Sequence, residues 1–246
     1  MFIDSHIHLQ DYKTQDVKNV VTNAMQNGVM RFINPSAHPR DWAAVVELAR
    51  LYPQVVPAFG VHPWHIADMP QNWAQTLEQY LRQNPTAWVG ECGIDRIKNP
   101  DTAAQIAILQ THIALAKQYT RPLIIHSVKA DFEMSALFAD LPVRTIFHSF
   151  TGSAEWGKEI QKRGFFVGLN FSILRKKNAA EILRSLNLSQ ILLETDGPYQ
   201  NLERGAETLP QNLPILAQRI AELLQIPYVE FAQIIINNQN TFLGEK

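Results

Sequence analysis

Eight short runs rich in Val, Ile and Phe recur along this chain, and segments of helical period separate them. The runs are 2–8, 31–34, 55–61, 87–91, 122–126, 144–148, 165–169 and 191–196. Between them the apolar spacing predicts helices over 14–26, 41–51, 73–82, 102–118, 130–138, 154–163 and 179–186, with two more over 214–224 and 228–241. A strand–helix alternation of this kind implies βα units around a parallel sheet. Asp101-Thr102 reads as a helix entry, and Gly28 and Gly164 stand where helix exits need a positive φ. Eight such units predict an α/β fold, a (β/α)8 TIM-type barrel with C-terminal helices. The rival is a doubly wound open sheet, but no Gly-rich phosphate loop follows the first run.

A length of 246 residues suits one barrel domain over 1–246. The formal net charge is -1, so bulk charge draws the protein to neither nucleic acid nor anionic lipid. A polyanion would have to be met by a local patch or by metal ions. Cys92 is the one cysteine, which excludes an intrachain disulfide and points to no oxidising compartment. With no apolar run near the length of a membrane span, the expected location is the cytoplasm.

The polar residues gather where the runs end. The first run closes on His6-Ile7-His8, and strand alternation would put Asp4, His6 and His8 on one side. The third leads into Gly60-Val61-His62-Pro63-Trp64-His65, and the fourth into Gly90-Glu91-Cys92-Gly93-Ile94-Asp95. The fifth and sixth end at His126-Ser127 and His148-Ser149, and the eighth at Glu194-Thr195-Asp196. In a barrel the C-terminal strand ends converge on the rim that carries active sites. Imidazoles and carboxylates meeting there form a divalent-metal site of nitrogen and oxygen donors. A carboxylate such as Glu91 could bridge two ions about 3.5–4 Å apart.

Other polar residues have plainer readings. His38 and His65 suit loop packing, His112 lies inside a predicted helix, and Cys92 suits the core. Glu194 could bond backbone amides or a ligating histidine, or meet metal directly. Arg175-Lys176-Lys177 follows the seventh run, near where barrels often bind phosphate; Arg96, Lys98 and Lys129 are similar candidates. Trp64 and Tyr199 sit beside rim motifs and are open to base stacking or to packing.

Taken in order, D-x-H-x-H, G-x-H-P, G-E-x-G-x-D, P-x-x-x-H-S, H-S-F-T-G-S, E-T-D-x-P-Y and a closing N-x-x-x-F (Asn238 to Phe242) resemble the TatD family of metal-dependent deoxyribonucleases. That family lies within the amidohydrolase-like barrel superfamily. The resemblance covers nearly the whole chain. It implies that His6, His8, Glu91, His126, His148 and Asp196 are metal ligands. It also implies ester hydrolysis, with DNA phosphodiesters, single-stranded or end-containing, as the expected substrate.

The mechanism expected on this basis uses two divalent ions, of zinc, magnesium or manganese. His6 and His8 hold one and His126 and His148 the other, with Glu91 between them. Asp196 and Glu91 are the catalytic carboxylates, Asp196 orienting or deprotonating the attacking water. His62, Lys129 and Arg175 are the expected substrate contacts. Neither a membrane nor an obligate protein partner is expected. Val128 stands where the family often has Arg, Ser149 where Cys or Gly is frequent, and Gly197 where Ala is common. None removes a ligand, and Val128 bears on substrate preference more than on hydrolysis. The alternatives are hydrolysis of a small phosphoester, amide or lactone, and a non-catalytic partner-binding barrel.

Overall fold

A computed structural model describes residues 1–99, 101–200 and 206–244. Eight strands form one sheet in chain order: β1 (Phe2–Asp4), β2 (Val29–Pro35), β3 (Val55–Phe59), β4 (Trp88–Asp95), β5 (Leu123–Val128), β6 (Thr145–Phe147), β7 (Phe166–Leu169) and β8 (Ile191–Leu193). The helices are α1 (Val17–Gln26), α2 (Trp42–Leu51), α3 (Trp73–Gln83), α4 (Thr102–Gln118), α5 (Asp131–Leu137), α6 (Ala154–Lys162), α7 (Ala179–Ser185), α8 (Leu213–Leu224) and α9 (Tyr228–Leu243). Parallel strands in sequential order with helices between them are the (β/α)8 barrel fold. No helix among the described residues is long and apolar enough to cross a membrane.

Two compact units divide the chain, one of Met1–Ile33 with Ser149–Lys246 and one of Asn34–His148. In the first, α9 is tied to the strands by polar side chains. Asn238 donates to the carbonyls of Leu188 (2.6 Å) and Ile191 (2.8 Å), and Gln239 donates to that of Ile3 (3.0 Å). Phe242, one helical turn after Asn238, packs edge-on against Phe166. The closing N-x-x-x-F is therefore a clasp between the last helix and the sheet. Buried amides of this sort stabilise the packing because they satisfy carbonyls that would otherwise stay unbonded. Gly28 and Gly164 follow α1 and α6 at φ 83° and 86°, as their positions predict.

The second unit packs Trp42, Phe59 and Tyr80 edge to face, with the Trp42 indole donating to the Gly60 carbonyl (3.1 Å). Asp101 caps α4 through the amide of Ala104, as expected of that entry. His112, inside α4, is fully buried. Its Nδ1 donates to the Ile108 carbonyl (2.8 Å), and its Nε2 accepts from the Val61 amide (3.1 Å) just past β3. Burial, only partly offset by the Ile108 bond, pushes its pKa from 6.5 down to about 4.

That shift has a definite sign. The unfolded chain protonates His112 below about 6.5, whereas the folded chain resists until about 4. Stability contributed by the neutral ring is complete above that window and is lost as pH falls through it, by up to about 3 kcal/mol. Urea midpoints of chelator-treated wild type and His112→Gln at pH 7 and pH 5 check this. The wild type should lose more stability between the two, and an identical loss would exclude the assignment.

Several strand ends depart from expectation, β3 stopping at Phe59 and β5 running on to Val128 among them, and three bear on the site. β1 stops at Asp4, not residue 8, because the Asp4 carboxylate accepts the His6 amide (3.3 Å) and takes it off the ladder. His6 and His8 thus lie beyond the strand and are not placed by its alternation. Even so, the Ser5 and Ile7 amides still bond the carbonyls of Leu193 and Ile33 (3.0 Å each). β8 stops at Leu193, and Asp196 turns into the left-handed region at φ 54°. Glu194 and Asp196 therefore do not share a strand face. β4 instead runs on to Asp95, since Cys92 to Asp95 pair in register with Ile125 to Val128.

Candidate metal centre

Each unit carries its own cluster of metal-capable side chains. In the first, His6 and His8 bring their Nε2 atoms 3.1 Å apart. Asp196 Oδ1 lies 3.8 Å from His6 Nε2 and 3.6 Å from His8 Nε2. The backbone beneath is fixed by Asp4, which is fully buried and accepts from the Thr195 amide (2.9 Å) and hydroxyl (2.5 Å) as well as from His6. Burial lifts the Asp4 pKa to about 7 despite these bonds. The Asp196 amide donates to the His6 carbonyl (2.9 Å), so one carboxylate and one backbone bond hold both residues in register.

Glu194, also fully buried, accepts the Ser149 amide (2.6 Å) and the Asn170 side-chain amide (3.3 Å) at Oε1. It clamps the residue that follows His148, which sits at φ 50°. Of the two expectations for Glu194, amide bonding is the one these contacts support.

In the second unit three imidazoles converge on one carboxylate oxygen. Glu91 Oε1 lies 2.7 Å from His148 Nε2, 3.0 Å from His126 Nδ1 and 3.3 Å from His62 Nε2. Glu91 and His148 are buried, and His126 is nearly so. The other ring nitrogen of His126, Nε2, lies 3.3 Å from Asp95 Oδ2. When that nitrogen donates to Asp95, Nδ1 is left as the atom available to a metal. Burial alone would lower the His126 pKa, but the bonds to Asp95 and Glu91 outweigh it and raise the value. His62 differs: burial dominates and pushes it down to about 4, so its ring is neutral at pH 7.

Gly93 makes this approach possible. Its φ is 149°, and a β-carbon there would run into the His126 carbonyl oxygen. The G-E-x-G spacing thus lets β4 and β5 close up while Glu91 and Asp95 flank the gap. Asp95 accepts from Trp64 Nε1 (2.6 Å) and from the amides of Ile97 (2.8 Å) and Lys98 (3.0 Å). Burial would raise its pKa, but these bonds and His126 hold it well below the ordinary carboxylate range.

The donor set fits a divalent ion. Ligands about 2.0–2.2 Å from one ion must sit roughly 3–3.5 Å from each other, and imidazole with carboxylate is the usual catalytic combination. The Glu91 cluster meets that spacing, and His62, Glu91 and His126 form one group able to hold an ion. The expected substrate contacts are placed differently. His62 lies in this cluster, 3.3 Å from Glu91 Oε1. Lys129 is exposed directly after β5, at φ 54°, and Arg175 is exposed and donates to Gln200 (2.6 Å). Cys92 is buried and aimed at the Ile124 carbonyl, away from Glu91's partners. Sequence reading gave no role to Asp95, although it stands four residues from Glu91, an even strand spacing that predicts the same face.

A barrel with imidazole–carboxylate clusters at its strand ends has the make-up of a metal-dependent hydrolase. The family model described as TatD related DNase matches residues 3–244, and the chain belongs to the TatD family. It is 29% identical over 254 residues to a protein of Escherichia coli K12 named uncharacterized metal-dependent hydrolase YjjV, covering 99% of this chain and 98% of that one. It is 30% identical over 238 residues to the 3'-5' ssDNA/RNA exonuclease TatD of Edwardsiella piscicida, covering 91% of each. The crystal structure of Escherichia coli YjjV superposes with a TM-score of 0.92 at 28% identity, covering 100% of this chain and 98% of that one.

Proposed function

We propose that this TatD-family metal-dependent hydrolase cleaves phosphodiester bonds of DNA, working as one domain over 1–246. The observation that carries the reading is the convergence of three imidazole nitrogens on Glu91 Oε1 within 3.3 Å. Four groups so close in a buried place, one of them a carboxylate, are costly unless something positive lies among them. His6, His8, Glu91, His126, His148 and Asp196 are the proposed ligands of two divalent ions, of zinc, magnesium or manganese. Such ions supply Lewis acidity and a lowered pKa for water.

The chain's own residues do the rest. Asp196, turned out of β8, orients the attacking water and takes its proton. Glu91 supplies the negative charge facing His126 and His148. Asp95 fixes the ring of His126, and neutral His62 stands ready to meet the leaving oxygen. Lys129 and Arg175 are exposed cations suited to flanking phosphates. The name of the Edwardsiella piscicida relative favours single strands with a free end as substrate, and the lone buried Cys92 fits a cytoplasmic location. Val128, where the family often has Arg, favours a second reading, hydrolysis of a small phosphoester.

End-labelled single-stranded DNA incubated with metal-stripped protein tests the proposal, with Mg²⁺, Mn²⁺ or Zn²⁺ added back. Cleavage should require the ion, and the product ladder gives its direction. Intact DNA under every ion, alongside turnover of a small phosphodiester, would transfer the assignment to the second reading.

A further inference from the structure

Trp64 is the large aromatic that the chain leaves in the open beside the Glu91 cluster. Its relative exposure is 52%, whereas Trp42, Trp73 and Trp88 are buried. A lone exposed apolar residue is ordinary, but this one is held on three sides. Its indole Nε1 donates to Asp95 Oδ2 (2.6 Å), its own amide donates to His62 Nδ1 (3.1 Å), and the preceding Pro63 carbonyl accepts from Asn99 (3.1 Å). Its ring stands edge-on to His62 at 4.8 Å and to His126 at 6.3 Å between centroids. The Lys98 ammonium sits over it, 5.6 Å from the ring centroid, within cation–π range. The result is a rigid π surface whose edge is bonded to the carboxylate that orients His126.

We propose that Trp64 is a stacking platform for one nucleobase of the substrate, and so a specificity-determining residue. The inference rests on the nucleic-acid reading above and adds a subsite to it. A base stacking on the indole replaces the Lys98 ammonium there, which frees that cation for a neighbouring phosphate. Base–aromatic stacking tolerates any base, since each has a π face. The subsite therefore selects for the presence of a base, not for its identity. Fixing the indole before substrate arrives reduces the ordering cost of binding.

Steady-state cleavage of an oligonucleotide series by the metal-loaded protein tests this, with one abasic residue moved stepwise from the end. In the wild type one position should raise KM by about tenfold with kcat nearly constant. Trp64→Leu should raise KM on the fully based strand by a similar factor, and the abasic penalty at that position alone should vanish. Trp64→Phe keeps an aromatic face without the indole N–H, so it should retain the penalty. A merely structural role would lower kcat or bound metal and leave the penalty in place. Additive effects of Trp64→Leu and the abasic residue, or an unchanged KM in Trp64→Leu, would overturn the subsite while cleavage itself stands. Oligonucleotides neither bound nor cut by the wild type would overturn the nucleic-acid reading and the subsite together.

Discussion

Asp196→Asn is expected to lower turnover by roughly 10³-fold while the protein stays folded. Asn has nearly the same shape, and with Asp it is among the few residues that tolerate φ near 54°, so the bond from the residue 196 amide to the His6 carbonyl survives. What disappears is the negative charge 3.6–3.8 Å from the two imidazoles, and with it the proposed acceptor for the water's proton. An amide oxygen can still orient water but cannot take its proton. The thermal midpoint should move by no more than about 3 °C, as suits a loss under about 1 kcal/mol in a chain this size. Initial rates and thermal melts on the same preparation check both halves. Near-wild-type turnover would remove Asp196 from the role of base.

Glu91→Gln should have an effect as large by a different route. The substitution keeps the volume but removes the charge from the point where His62, His126 and His148 converge. One amide position then presents N–H groups to the His126 and His148 nitrogens that we propose as metal ligands. We expect metal affinity to fall by about 100-fold or more and activity to fall with it, with partial recovery at high added metal. Bound metal after dialysis, measured beside the rate over a metal titration, separates this from Asp196→Asn, which should lose rate far more than metal. Wild-type metal content and rate in Glu91→Gln would reduce Glu91 to a structural role.

Much of this was legible in the sequence because barrel strands are short apolar runs with abrupt polar ends. Runs such as Phe166–Leu169 and helices such as Thr102–Gln118 stand out by composition and period alone. The strand ends were harder. Periodicity cannot show that the Asp4 side chain withdraws the His6 amide from the ladder, nor that Asp196 adopts a positive φ. Asp4 is itself bonded to Thr195 and Asp196 to His6, each about 190 positions away. The same limit hid the bond between Asp95 and Trp64, although Trp64 itself read as open to base stacking or to packing. Their bond joins a 3₁₀ turn after β3 to the end of β4, and neither local spacing nor charge announces it. The N-x-x-x-F motif read as part of a family pattern, and its physical reason, the Asn238 clasp, needed the packing of α9.

Bound metal and hydrolytic rate, measured on the same sample as ion is titrated into stripped protein, test the central claim most directly. The rate on single-stranded DNA should be nil without ion and rise with occupancy to a plateau near two ions per chain. Glu91→Gln should need far more ion to reach any rate, and Asp196→Asn should fill without gaining rate. A stripped protein that hydrolyses DNA at the full rate, or a rate indifferent to occupancy, would contradict the assignment of these clusters as the metal centre of the reaction.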